Sequence, residues 1–223
     1  SKEEYPRLHE IVERLSANNG LPKPKVAMVN SPVPNAFATG KSPKSSLVAV
    51  TTGILDLLDN DELEAVIGHE LSHVRSRDVL VLTLASLFST VAWYLVRFGL
   101  FGGLQARNRN TAGSSAIVLL VAITTWVVSF LIIRAISRYR EFSADRGGAI
   151  MTGKPDKLAS ALLKISGKIK VIPPKELENV QKLNAFFIIP ALSGSSIANL
   201  FSTHPPVEKR VQKLMEMKSG VNK

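Results

Sequence analysis

The chain has no cysteine among its 223 residues, which excludes disulfides, thiolate metal sites and a cysteine nucleophile. It has no aromatic RNA-binding motif and no cysteine-based finger. Its net charge of +10 is spread along the sequence and forms no dense run, so nucleic acid is not the expected partner and an anionic lipid surface suits the charge better. Internal repeats and low-complexity segments are also missing. No secretory leader is visible in "SKEEYPRLHEIVERL". The first residue is Ser1, which reads as a processed chain or a fragment of a longer one. A chain of this length holds either one domain with a real core or a smaller domain with membrane helices.

What is present alternates between periodic and apolar segments. Residues 3–17 place Tyr5, Leu8, Val12 and Leu15 at helical spacing, and Asn18, Asn19 and Gly20 stop the helix. Three β-prone runs follow, "KVAMVN", "PNAFATG" and "SLVAVTTG", with "KSPKS" as a hairpin loop between the last two. "LDNDELEAVIGHELSHVRSRD" reads as a helix capped by Asp59 or Asn60, with Asp61 and Glu62 at the positive end of its dipole. Then come Val79–Val96 and Ala116–Ile133, each 18 residues without a charge. Each would span about 27 Å as a helix, close to the hydrocarbon thickness of a bilayer. Neither is amphipathic, so a transmembrane hairpin is expected rather than two core helices. "RFGLFGGLQARNRNTAGSS" reads as the loop between them. After residue 134 the second span continues into a soluble helix through "RAISRYREFSADRGGAIM". Two further helices follow, one opened by Pro155 and one by Pro205 and Pro206.

The chemistry concentrates in "HELSH". His69 and His73 stand one helical turn apart, so both imidazoles reach one ion. Glu70 lies beside them, free to take a proton from the attacking water, as in His-Glu-x-x-His peptidases. A catalytic metal takes three protein ligands and keeps an open position. His9 sits on an ordinary amphipathic helix and reads as a packing or surface residue. Glu141 in "SRYREFSADRG" is the better third ligand, and Asp145, one turn on, can accept a hydrogen bond from a ligand histidine. Glu141 can also be read as a solvated carboxylate paired with Arg138 or Arg140. Two membrane crossings return the chain to the side it left, which allows the first helix and Glu141 to share a site.

"HELSH" at 69–73, "EFSAD" at 141–145, "PNAFATG" at 34–40 and "STHPP" at 202–206, in this order, resemble the HtpX family of membrane zinc metallopeptidases, relatives of the CaaX prenyl endoproteases. The resemblance implies a zincin-like α+β domain, mainly helical, with a small sheet and an inserted transmembrane hairpin. Its parts would be residues 1–78, the hairpin 79–133 and residues 134–223. It implies one Zn2+ on His69, His73 and Glu141, with Glu70 as general base. It also implies a cytoplasm-facing catalytic domain in the inner or plasma membrane that degrades misfolded or damaged membrane proteins. By the same resemblance Asn35, Ala36, Phe37 and Ala38 line the substrate cleft, where an extended peptide can add as a strand. His204 would donate a hydrogen bond in the transition state, with Arg210 supporting it. HtpX-like proteins usually carry further hydrophobic helices ahead of this region, so a shortened chain is expected.

Arg75, Arg77, Arg134, Arg138 and Arg140 flank the apolar runs on the catalytic side, against Arg97, Arg107 and Arg109 at the connecting loop. That excess favours a cytoplasmic catalytic side. A non-catalytic metal-binding scaffold or sensor is the rival reading, but it has no use for Glu70. A transporter fits poorly, because the spans carry few polar groups. The oligomeric state and cleavage preference are left open.

Overall fold

The fold comes from a computed structural model, which describes residues 2–105, 112–172 and 204–220. Arg107, Arg109 and residues 202–203 of "STHPP" lie outside the described residues. Two compact units divide the chain: Ser1–Val79 with Arg138–Lys223, and Leu80–Ser137.

The first unit opens with α1, Pro6–Asn18. It starts later than the periodicity from residue 3 predicts, because Pro6 sits in the first turn, where a missing N–H costs nothing. Leu8, Ile11, Val12 and Leu15 form its buried stripe. Three strands follow: β1 (Lys25–Val29), β2 (Ala36–Thr39) and β3 (Leu47–Thr51). Their order is β1-β3-β2, with β1 parallel and β2 antiparallel to β3. "KSPKS" does join β2 to β3, through a 3-10 turn at Pro43–Ser45.

The sequence reading has no helix after β3, yet α2 forms at Thr52–Leu57. Thr51 starts it: its hydroxyl accepts from the Ile54 N–H at 3.3 Å. The same hydroxyl accepts from the Asn35 N–H at 2.8 Å and donates to the Asn35 carbonyl at 3.1 Å, so one side chain fixes both the entry to β2 and the start of α2.

Helix α3, Asn60–Arg75, is the axis of this unit. Asp59 caps it in a reciprocal pair: its Oδ1 accepts from the Glu62 N–H at 2.8 Å, and Glu62 Oε2 accepts from the Asp59 N–H at 2.9 Å. It packs on α1, β2, β3 and α6 (Pro155–Val171), and is buried almost continuously from Glu62 to Ser72. The core joins Leu8, Val12 and Leu15 to Val48, Val50, Ile67, Leu71, Leu158, Leu162 and Ile165. Leu214 of α7 (Val207–Lys218) closes it from the far side. Buried Glu64 is held by Arg14 at 3.0 Å and Lys154 at 2.8 Å.

The Leu80–Ser137 unit takes most of α4 (Asp78–Gln105) and the first part of α5 (Ala112–Thr152). α4 runs beyond Val96, so the first residues of the expected loop are helical; the three glycines at 99, 102 and 103 lower helix propensity without ending it. α5 is one helix of 41 residues, through "RAISRYREFSADRGGAIM". Leu84, Leu87, Val91, Phe98, Leu120, Trp126 and Leu131 are exposed in this unit. Among the described residues, no helix is long and apolar enough to cross a membrane.

Candidate metal centre

Close backbone packing sets the centre. A β-carbon at Gly148 of α5 would fall 2.6 Å from the backbone nitrogen of His69, and one at Gly147 would fall 2.1 Å from Ser72 Oγ. One at Gly68 would meet Thr152 Cγ2 at 2.6 Å. Glycine at these places lets α3 and the end of α5 approach backbone to backbone. Glu141 thereby comes onto the two histidines.

His69 Nε2 and His73 Nε2 face each other at 3.1 Å. Glu141 Oε2 lies 3.9 Å from the first, and Oε1 lies 3.7 Å from the second. Each histidine has a carboxylate on its far nitrogen. Asp78 Oδ2 accepts from His73 Nδ1 at 2.5 Å. Asp145 Oδ1 stands 3.0 Å from His69 Nδ1, an ion-pair distance without hydrogen-bond alignment. With Nδ1 protonated on both rings, both Nε2 atoms present lone pairs to each other.

The buried carboxyl groups differ sharply. Burial raises the Glu70 pKa to about 7, helped by Glu141 and opposed by His73 and the Ala38 N–H. Burial also works against ionised Glu141, but His204 and Arg210 outweigh it and hold Glu141 well below the usual carboxylate range. Asp145 is held at about 2, because Arg210 and His69 overcome burial. The surroundings thus favour the anion at Glu141 and the neutral form at Glu70. Burial lowers His69 despite Asp145; for His73, Asp78 and Glu141 overcome burial and raise it.

Arg210 is 1% exposed and forks onto Asp145, Nε to Oδ2 at 2.8 Å and Nη2 to Oδ1 at 2.7 Å. Its Nη1 lies 3.4 Å from Glu141 Oε2. His204 Nδ1 lies 3.2 Å from the same oxygen. Arg210 thus bears on both Asp145 and Glu141, a wider role than the support of His204 that the resemblance implies.

Of the four residues expected along the cleft, Ala36, Phe37 and Ala38 lie in β2, and Asn35 precedes it with its backbone bound to Thr51. β2 is an edge strand. The Asn35 backbone faces β3, so strand alternation turns the N–H groups of Ala36 and Ala38 outward. The Ala38 N–H meets the Glu70 carboxylate there. A groove beside His73 continues from this edge, lined by Ala38, Thr39, Gly40, Val74, Arg77 and Asp78.

A model of Peptidase family M48 matches residues 2–218. The chain belongs to this family. It is 57% identical over 223 residues to Protease HtpX homolog 2 of Methanosarcina acetivorans, covering 100% of this chain and 76% of that protein. It is 54% identical over 222 residues to Protease HtpX homolog of Moorella thermoacetica, covering 97% and 74%. Among solved structures it resembles S. mikatae Ste24p, at a TM-score of 0.61 and 17% identity, over 93% of this chain and 49% of that one. At that identity the likeness is one of fold, and the chain spans about half of that structure. Membership of family M48, with these named protease relatives, makes the chain a metalloprotease.

The residues present fit a metal ion. His69, His73 and Glu141 form a group of donors able to hold one. Ligands 2.0–2.2 Å from a tetrahedral ion stand about 3.3 Å apart. The histidine nitrogens stand 3.1 Å apart, Glu141 brings one oxygen to each of them at 3.7 and 3.9 Å, and one donor from each residue lies within 4.8 Å of the others. With Nδ1 protonated on both rings, the two Nε2 atoms can offer lone pairs to one ion, and Glu141 supplies the anionic donor of the group.

The sequence reading missed Asp78. The signal was available: it is the acid that follows "HVRSR" directly before the first apolar run.

Proposed function

We propose that this chain is a membrane-bound, zinc-dependent endopeptidase that cleaves misfolded or damaged membrane proteins. The observation that carries the reading is geometric: His69, His73 and Glu141 bring one donor each within 4.8 Å of one another, and buried Glu70 follows His69 directly on the same helix. Burial moves Glu70 towards its neutral form, while His204 and Arg210 hold Glu141 as the anion, which suits a general base and a ligand respectively.

His69, His73 and Glu141 would hold the ion. Zn2+ suits two imidazoles and a carboxylate, and when bound it supplies Lewis-acid polarisation and makes water acidic enough to attack. The chain's own residues do the rest. The extended substrate adds to the outer edge of β2 and meets the N–H group of Ala36. Glu70 removes a proton from the attacking water and returns it to the leaving amine. Its bond from the Ala38 N–H ties the base to the strand that carries the substrate. His204 donates to the developing oxyanion, while Glu141 steadies its ring through Nδ1. Asp145 orients His69, and Arg210 keeps Asp145 ionised and in place.

The membrane assignment rests on the two uncharged runs of 18 residues and is supported by the exposed apolar side chains of the Leu80–Ser137 unit. The arginine excess beside the runs supports a catalytic side facing the cytoplasm. The three-part division at residues 79 and 133 is proposed on the same basis.

The test compares wild type with Glu70→Gln for metal content and for hydrolysis of an unfolded protein. Wild type should carry one Zn2+ and lose hydrolysis to a chelator. The variant should keep its zinc and lose about 10²–10⁴-fold in rate. Equal turnover by both would remove Glu70 from the mechanism, and a zinc-free active wild type would sink the reading.

A further inference from the structure

Asp78 uses both carboxylate oxygens, and the two go to different parts of the chain. Oδ2 accepts from His73 Nδ1. Oδ1 lies 3.0 Å from Nε of Arg140. Arg140 directly precedes Glu141. A single buried carboxylate therefore links the helix that carries both histidines to the helix that carries the acidic ligand.

The place of this link in the chain gives it a second meaning. The first unit ends at Val79 and resumes at Arg138. Asp78 and Arg140 stand just inside those two points, where the chain leaves for the α4–α5 pair and where it returns. Their ion pair joins these two points within the first unit. The turn that brings Asp78 back to His73 passes through Arg77. Arg77 adopts φ 53°, the left-handed region that disfavours a long side chain, and is the only such residue other than glycine among those described. It follows the C-cap of α3 and ends that helix in the left-handed manner, its N–H donating to the Val74 carbonyl at 3.2 Å, and the turn it makes delivers Asp78 to His73.

We propose that Asp78 is a positioning residue for the ligand His73, and that Arg140 makes this positioning depend on the two roots of the α4–α5 insertion being held together. This rests on the reading of His73 as a metal ligand. Asp78 fixes the ring angle and keeps the proton on Nδ1, so that Nε2 offers its lone pair to the ion. Arg140 fixes Asp78. Parting the two roots would pull Arg140 from Asp78 and release the ring, so the start of α4 and the returning part of α5 bear on the metal centre through one carboxylate.

The experiment titrates the whole metal-free chain with Zn2+ against a chromophoric chelator, and records ¹⁵N imidazole spectra of the metal-free protein. Asp78→Ala should bind Zn2+ about 10–100-fold more weakly and lose the Nδ1–H signature of His73. Asp78→Asn, which keeps an acceptor for Nδ1–H, should recover most of that affinity. Arg140→Gln should weaken binding in the same direction by a smaller factor. A merely structural Asp78 would lower the melting temperature of the metal-free protein and leave the tautomer and zinc affinity of the folded fraction unchanged, and that result would overturn the proposal. Should Asp78→Ala fail to fold, Asp78→Asn and Arg140→Gln decide it: wild-type affinity in Arg140→Gln removes the coupling, and a loss in Asp78→Asn as large as in a His73→Ala control removes the positioning role. Failure of wild type itself to take up Zn2+ would count against the metal reading beneath it, which is a distinct result.

Discussion

In helix α3, His69 is 1% exposed, and Glu62, Glu64 and Glu70 are buried with it; in the Leu80–Ser137 unit, Phe98 is 69% exposed, and Leu84, Leu87 and Trp126 are open as well. The two regions invert the usual distribution of polar and apolar side chains. In α3 the inversion is satisfied internally. Glu62 takes Ser160 and Lys164, each at 2.7 Å, and Glu64 takes Arg14 and Lys154. Buried charge without such partners would cost several kcal/mol per ion. In the apolar unit the apolar side chains named above are left open among the described residues, and such surface costs about 25 cal/mol for every Å² left in water. The buried carboxylates of α3 have their partners at hand, and the open apolar side chains of the other unit fit the bilayer proposed above.

Four measurements would break or sharpen that contrast. The largest effect is expected from Leu162→Ala, fully buried beneath α3, which should destabilise the chain by about 2–5 kcal/mol in denaturant unfolding. A loss below 1 kcal/mol would mean that α6 is not part of the core that supports the centre. Gly148→Ala comes next. Alanine normally favours a helix over glycine, but here its methyl would press on the His69 backbone, so a loss of about 1–3 kcal/mol is expected, together with reduced zinc occupancy. A stabilised Gly148→Ala protein would show that the two helices stand further apart.

The third is a pH profile. Burial alone would raise Glu62 and Glu64, but Lys164 and the Asp59 N–H hold the first below its ordinary value, and Arg14 and Lys154 hold the second. A carboxylate lowered on folding contributes stability that is fully present above its unfolded pKa, about 4.3, and is lost as pH falls through the folded one. Urea midpoints should therefore decline below about pH 4, with a shallower decline in Glu62→Gln. Equal slopes would deny Glu62 this role. The smallest effect is expected from Leu131→Ala, half-exposed in the apolar unit, which should change stability in detergent by no more than about 0.5 kcal/mol. A loss like that of Leu162→Ala would mean that the unit holds a core of its own.

Local signals in the sequence were easy to read. Asp59 and Glu62 announce the start of α3, Pro155 announces α6, and the i, i+4 spacing of His69 and His73 sets two imidazoles on one face. Meetings between distant segments were harder. The order β1-β3-β2 depends on which strand fills the middle, and periodicity does not encode that. Helix α2 depends on Thr51, which looks like the end of a strand until its hydroxyl is seen between Asn35 and Ile54. Gly68, Gly147 and Gly148 read as weak points of helices, although they are where two backbones touch. The Arg210 fork joins residues 65 positions apart, a pairing that no local pattern contains. Asp78 was hidden by its surroundings, since an acid at the head of an apolar run reads first as a helix start.

The outer edge of β2 has a consequence for solubility. An unpaired strand edge invites another copy of the same chain to dock and extend the sheet, which is the first step towards fibrils. A protease that receives extended peptides has to leave such an edge open. Here the strand has four residues, and the outward N–H of Ala38 already meets Glu70. That leaves too little ladder to nucleate a stack, so on the proposed function brevity would let the strand receive an extended chain without joining it.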